Sequence, residues 1–446
     1  MATIIFDIYP AISHYNATFL LAKHLSKENR VIYVCGGSYQ KMIASCGFET
    51  YIVDIDTLIL FEAKRRLSGI WSSIFSFSVL KRKRLLREMF RSYKQISELF
   101  HPDLILLDSH HFYKTVIYND ICNHIVRLQS MVSTYKYPYI APVCYESLPS
   151  YTRKGILKSE LLWKMYHLRY HVHQWILRLF YSSNNYFTNV TILANLSHYP
   201  LSKYIESNRY TVSRVELSGY TELIISPIVF DFPSIERNLL TFFSPAKENR
   251  DIHLFVPRYS ALTERLQFLR VEGKVFVIYC SLGTLGDTDK KKVIRFFSKI
   301  RKVAFTDSSL FFVCSVGKMF LHNSLLPLPE NMLILRQVPQ FHLLQYCDLM
   351  ITHGGMNSIT ECIYRQVPML VYPLNRNWDQ PGNAARVVFH KLGLKGNISK
   401  DSPITIYQKI KKICSSYLMY KENLQKMKQR MEETPDTLTP YINSIV

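Results

Sequence analysis

The sequence predicts an α/β protein of two domains, each a parallel sheet wrapped by helices, with the two sheets facing each other across a cleft. Three observations predict it. A chain of 446 residues is long for a single core. Apolar runs of strand length alternate with amphipathic stretches of helix length, the pattern of β-α-β units. The alternation also starts twice, with a polar, proline-bearing region around 232–262 between the two series.

Taken in order, Thr3–Tyr9 reads as a strand, Asn16–Lys27 as a helix and Val31–Cys35 as a second strand, and Leu104–Leu107 and Ile140–Val143 continue the first sheet. The second series runs through Val275–Cys280, Leu310–Val316, Met332–Leu335, Leu349–Thr352 and Met369–Tyr372. This gives a Rossmann-like domain over 1–245, another over 246–425, and a basic C-terminal helix over 426–446 that packs back on the first domain. In such folds ligands bind beyond the carboxyl ends of the strands. Ser13-His14, Ser281-Leu282-Gly283-Thr284 and the stretch after Thr352 all stand there.

Composition bounds the partners. Hydrophobic residues make up 48% and charged residues 20%, an ordinary globular balance. The 55 Lys+Arg against 34 Asp+Glu give a net +21, which points to an acidic partner: a phosphorylated small molecule, nucleic acid or an anionic membrane surface. No nucleic-acid motif accompanies the charge. Nine scattered cysteines without a C-x-x-C pair suit a reduced, cytoplasmic protein. The N-terminal apolar run, broken by Asp7, Pro10 and His14, does not read as a signal peptide, and no stretch reads as a spanning helix.

The most informative stretch is THGGMNSITECI, 352–363. A histidine, two glycines and Asn-Ser at a strand-to-helix junction gather backbone N–H groups where the helix dipole favours an anion. Glycines admit a phosphate closely, and Asn357 and Ser358 suit the helix cap. Glu361, one turn on, makes sense beside an anion if it binds hydroxyls of a ribose. Asp379-Gln380 adds donors and acceptors for a polyol. A nucleoside diphosphate with a sugar at each end fits every group.

The run QVPQFHLL…ITHGGMNSITECIYRQVPMLVYPLNRNWDQPGNAARV resembles the C-terminal signature of the UDP-glycosyltransferases, family 1, of GT-B fold. VFVIYCSLGT is similar to the strand and loop that open the family's C-terminal domain, and LILLDSHHF to the strand whose aspartate partners the catalytic histidine. The resemblance implies an inverting transferase that moves a sugar, as a hexosyltransferase does, from a UDP-sugar co-substrate to a hydroxyl of an apolar small-molecule or lipid acceptor, with neither metal nor other cofactor. It implies His14 as general base and Asp108 as its orienting partner. His353, Asn357, Ser358 and the Gly355 backbone would hold the diphosphate, with Gly283 and Thr284 on its other side. Glu361 and Gln340 would bind the ribose, and Asp379 and Gln380 the transferred sugar. The chain departs from the family at Gln337, where a tryptophan stacks on uracil, at Gln366 and Ser13, where the family has glycine, and in a longer loop over Leu374–Trp378.

Other patterns carry less. His110-His111 beside Asp108 have no third metal ligand at suitable spacing and read as cleft lining. His167 and His171 could bind zinc by their i, i+4 spacing but sit on a basic aromatic helix without Glu or Cys. Ala63–Lys94 holds ten Lys/Arg against one Glu, interleaved with Trp71, Phe75, Phe77 and Phe90, and is expected to flank the acceptor entrance and dock peripherally on the inner, anionic face of the membrane. Two alternatives stay open: an epimerase of the same fold, or a nucleotide-sugar binder without turnover, favoured if His14 and Asp108 lie far apart.

Overall fold

A computed structural model describes residues 1–53, 77–180, 186–204, 209–210, 217–233, 239–242, 258–271, 275–283, 289–317 and 326–445. It contains two parallel sheets. The first has seven strands in the order β3-β2-β1-β4-β5-β6-β7: β1 Thr3–Asp7, β2 Arg30–Cys35, β3 Glu49–Ile52, β4 Leu104–Asp108, β5 Ile125–Gln129, β6 Thr221–Ile224 and β7 Leu240–Thr241. The second has six in the order β10-β9-β8-β11-β12-β13: β8 Phe276–Ser281, β9 Leu310–Ser315, β10 Met332–Leu335, β11 Leu349–Thr352, β12 Met369–Val371 and β13 Gly393–Lys395. Every pairing in both is parallel.

Both sheets reverse their winding at one place, between β1 and β4 and between β8 and β11. That switch is where a crevice opens at the carboxyl ends of the strands. The helices that matter here, numbered along the chain, are α1 (Ile12–Leu25), α2 (Phe77–Phe100), α3 (Arg153–Phe180), α4 (Met356–Arg365), α5 (Gln380–Phe389) and α6 (Leu438–Ile445).

The expected fifth strand is corrected. Ile140–Val143 is irregular, with Ile140 making one isolated bridge to Tyr137. Pro138 precedes it and Pro142 lies within it, and neither offers an N–H to a ladder. The strand is Ile125–Gln129 instead, where Arg127 and Gln129 break the apolar pattern but are buried with partners: Arg127 donates to the Leu217 carbonyl at 2.8 Å, and Gln129 Oε1 accepts from Ser109 Oγ at 2.8 Å. The first helix starts earlier than its apolar spacing suggests, at Ile12, so His14 lies in its first turn rather than in the preceding loop.

The cores respect the two-sheet plan. Ile5, Ile32, Ile105 and Leu107 pack with Leu86, Met89 and Tyr93 of α2 on one face of the first sheet, and Phe6, Tyr33 and Leu106 pack with Phe19 of α1 on the other. Leu438 and Ile442 of α6 join that second cluster, although the chain has by then passed through the other sheet. The two passages between sheets are laced together. The amide of Thr241, at the end of β7, donates to Thr437 Oγ1 at 2.8 Å, its hydroxyl donates to the Pro435 carbonyl at 2.7 Å, and its carbonyl accepts from the Thr437 amide at 3.0 Å. Across the cleft, Arg386 of α5 pairs with Asp231 at 2.6 Å.

Residues 63–76 of the basic stretch lie outside the described residues. In α2, Leu86, Met89, Tyr93 and Ile96 turn inward while Lys83, Arg84, Arg87 and Arg91 face solvent. No helix among the described residues is long and apolar enough to cross a membrane.

Candidate functional site

At the first switch point, β4 delivers Asp108 beside the start of α1. Its Oδ2 lies 2.8 Å from His14 Nδ1, and its Oδ1 accepts the His110 amide at 2.8 Å. Asp108 is fully buried and His14 nearly so. Burial raises the carboxyl pKa, but His14 and then His110 outweigh it and hold the group well below the usual carboxylate range. With Nδ1 committed to a carboxylate, the His14 ring is held with Nε2 left for another partner, the arrangement that a neutral-pH base needs.

His110 stands edge-on to the His14 ring at 4.4 Å between centroids and 6.1 Å from the Trp378 ring. Its Nδ1 is 3.2 Å from Asp108 Oδ1 yet outside hydrogen-bonding geometry, and burial keeps the ring toward its neutral form. The fold also supplies a third ligand that sequence spacing lacks: His14, Asp108 and His110 each offer an atom within 4.8 Å of the others. Because Asp108 is already held by His14 and by an amide, the cluster has the arrangement of an oriented base. His167 stacks on Trp163 instead of meeting a third ligand among the described residues.

Beneath the dyad lies a network that the sequence does not announce. Lys114 Nζ contacts both Asp7 oxygens, at 2.9 and 3.1 Å, and Tyr93 OH at 2.7 Å, while Tyr118 OH donates to Asp7 at 3.0 Å. His111 Nε2 completes it, 3.1 Å from the Asp7 carbonyl, so His111 faces this network and only His110 neighbours the base. Burial works against the Asp7 charge, yet Lys114 and His111 bring its pKa to about 2. Burial also draws the Lys114 ammonium down, but three oxygens around it keep the pair ionised.

At the second switch point, β11 ends at Thr352 and His353-Gly354-Gly355 turn into α4. The N-cap is Gly355, without a side-chain cap, so Asn357 and Ser358 occupy the first turn rather than the cap position. First-turn amides have no intrahelical acceptor and remain available to a ligand. Gly354, at φ +87, takes a backbone conformation that suits glycine. The His353 imidazole is wedged between two further glycines: a Cβ on Gly283 would fall 2.4 Å from its Cε1, and one on Gly355 would fall 2.7 Å from its Nε2. Burial lowers its pKa to about 4, and Nδ1 has no partner. Thr284 lies outside the described residues.

Around this turn the expected residues converge. Gln340 Nε2 donates to Ser358 Oγ at 3.1 Å and to Glu361 Oε2 at 2.7 Å, joining three of them. Asn357 Nδ2 donates to the Ser13 carbonyl at 2.9 Å, one residue from the base and across the cleft. Gln380 Oε1 accepts the Leu374 and Asn375 amides, each at 2.9 Å, and so shapes the preceding loop. Asn383, which the motif reading did not assign, donates to Asp379 Oδ2 and to the Gly354 carbonyl, each at 2.9 Å, and its buried Oδ1 has no partner. Its signal was the i, i+4 spacing from Asp379 at the opening of α5. Burial pushes the Asp379 carboxyl up.

Two parallel sheets with facing switch points define the GT-B class of fold. Solved glycosyltransferases share it across the chain: the calicheamicin glycosyltransferase CalG4 superposes at TM-score 0.62 with 16% identity, covering 100% of this chain and 98% of that one. VinC in complex with dTDP superposes at 0.60 with 14% identity, covering 99% and 98%. Residues 319–440 match the family model of the erythromycin biosynthesis protein CIII-like C-terminal domain. The NDP-glycosyltransferase YjiC of Bacillus subtilis is 40% identical over 105 residues, 24% of this chain and 26% of that protein. The UDP-glycosyltransferase UGT4 of Dactylopius coccus is 30% identical over 227 residues, 49% and 41%. The matched stretches thus span less than half of these relatives. With the signature at 352–363, they make the C-terminal part of the chain similar to family 1 glycosyltransferases.

Proposed function

We propose that the protein transfers a sugar, a hexose by the family resemblance, from a nucleoside diphosphate sugar to a hydroxyl of an apolar acceptor, with inversion and without a metal. The observation that carries this reading is the bond from Asn357 to the Ser13 carbonyl, which brings an anion-binding helix start within one residue of an oriented His–Asp base. His14 Nε2 takes the acceptor proton as the acceptor oxygen bonds to the anomeric carbon from the face opposite the departing diphosphate. The anomeric C–O bond breaks, and the leaving group's charge falls to the first-turn amides of α4, Ser358 and the His353 ring. Glu361 and Gln340 hold the ribose, and Asp379, with Asn383 behind it, the sugar hydroxyls. The binding reading without turnover would have been favoured by a distant His14 and Asp108, and their 2.8 Å contact supports catalysis instead. For the base, Gln337 in place of a stacking tryptophan leaves uridine and thymidine donors both to be tried.

The test is a thermal-shift screen of UDP- and dTDP-sugars, since saturating donor raises the unfolding temperature. A donor that stabilises is then incubated with hydroxylated apolar acceptors, and the product's anomeric configuration is read. An α-donor giving a β-product supports the reading. Free epimerised sugar would favour the epimerase, and no shift with any nucleotide sugar would overturn the assignment.

A further inference from the structure

The helix α3 is apolar on two sides. One side holds it to the protein: Trp163 is buried, donating Nε1 to the Ile140 carbonyl at 2.8 Å, and Tyr166 packs on Tyr210 with ring centroids 5.4 Å apart. The other side carries Leu157, Leu161, Met165, Leu168, Val172 and Trp175, all between 45% and 70% exposed. At about 100° per residue these six positions form one stripe opposite Trp163. Single exposed leucines are ordinary, but a continuous apolar stripe along five turns marks a surface that meets something. Leu148 and Tyr151, also exposed, extend it toward the N-terminus.

The flanks identify the partner. Lys158 and Arg169 border the stripe on one side, Lys164 and His171 on the other, and all four are exposed. Glu160, the one acidic residue of the helix, is occupied by Lys136 at 2.8 Å. The spacing from Leu161 to Trp175 would also suit a two-helix seam, but a second copy would set like charges together along both edges in either orientation. An apolar face rimmed by cations, with a tryptophan among its residues, matches the boundary between anionic headgroups and acyl chains.

We propose that α3 docks the protein on an anionic lipid bilayer. The helix is bound to the cleft. Tyr210, on which it packs, donates its hydroxyl to the Asn377 carbonyl at 2.6 Å, Arg169 reaches Asn377 Oδ1 at 3.4 Å, and the neighbouring Trp378 stands beside His110. Docking through α3 therefore places a bilayer next to the loop that borders the base. On the transferase reading, the acceptor is then a hydroxylated lipid or an apolar molecule dissolved in one.

The experiment is flotation of the full chain with vesicles of phosphatidylcholine alone and of phosphatidylcholine with phosphatidylglycerol. We expect recovery with the anionic vesicles only. Leu161→Asp with Leu168→Asp should reduce it by about tenfold or more, and Lys158→Glu with Lys164→Glu and Arg169→Glu should abolish the preference for anionic lipid. The apolar variant, and Lys158→Glu with Lys164→Glu made without the Arg169 change, alter exposed positions free of ties to the cleft and should keep the wild-type unfolding temperature. Wild-type protein that stays out of the floating fraction, or an apolar variant that floats undiminished, would overturn the proposal. So would sedimentation showing a dimer that Leu168→Asp dissociates, which would make the stripe a contact between copies. Donor binding is titrated separately without lipid, so failure of docking and failure of the transferase reading are told apart.

Discussion

The two switch points solve opposite electrostatic problems. Below β1 and β4 the fold buries charge and completes it: Asp7 with Lys114, Asp108 with His14, both carboxyls held ionised by cations or imidazoles in contact. Beyond β8 and β11 it buries polar groups with fewer partners: burial holds His353 toward the uncharged ring and pushes the Asp379 carboxyl up, and Asn383 Oδ1 and His353 Nδ1 have no partner. At the first end the two carboxylates are paired in advance, although His110 Nδ1 there also lacks a partner. On the proposed reading, a diphosphate and a sugar would pair the buried polar groups of the second, which are otherwise uncompensated. The lesson is that a base must be oriented in advance, whereas a binding cradle gains specificity by leaving its hydrogen bonds to be completed.

The largest effect should come from the first end. His14→Ala should cut transfer by about 10²–10⁴ while the donor titration stays unchanged. A parallel loss of donor affinity would show that the two ends are not separate, and near-normal turnover would move the base to His110.

Acid should act on the two ends in different windows. His353 resists protonation in the fold and accepts it in the unfolded chain, so stability present above its ordinary value of 6.5 drains as the pH falls toward about 4, in all by roughly 3 kcal/mol. Asp7 is depressed, so its contribution stands above its ordinary value of 3.8 and is lost as the pH falls to about 2, about 2 kcal/mol more. Denaturant midpoints against pH for the wild type and His353→Gln check this. The variant should flatten the upper window only.

Smaller effects probe the cradle. In Gly283→Ala the new methyl meets the His353 ring at a positive φ, which should weaken donor binding by about 2 kcal/mol with His14 chemistry intact at saturating donor. On the proposed reading Glu361→Ala removes a ribose acceptor and should cost about 1 kcal/mol in a calorimetric titration of the donor, less than Gly283→Ala. Equal losses would mean that the imidazole wedge is not what the glycines serve.

The second end was the legible one. His353, the two glycines and Glu361 stand within one strand–turn–helix, so chain spacing alone reports their arrangement. The first end rests on pairs far apart in sequence. Asp7 and Lys114 are separated by 107 positions and His14 and Asp108 by 94, so no period or motif links them. His14 and Asp108 came through only because each follows a strand in a familiar order. Asp7 and Lys114 had no such guide. The fifth strand was missed for a related reason, because the partners that satisfy Arg127 include a carbonyl 90 positions away.

The lacing of Thr241 to Pro435 and Thr437 has a mechanical consequence. Two passages of chain join the halves, and had they stood apart they would have fixed an axle and allowed one swing only. Among the described residues they are tied at Thr241, which suits one pivot about which the halves can tilt in more than one direction. What selects among those tilts is then the set of contacts across the mouth, among them Asn357 to Ser13, Arg386 to Asp231 and Tyr210 to Asn377. Letting a substrate in is therefore a question of which of these releases first.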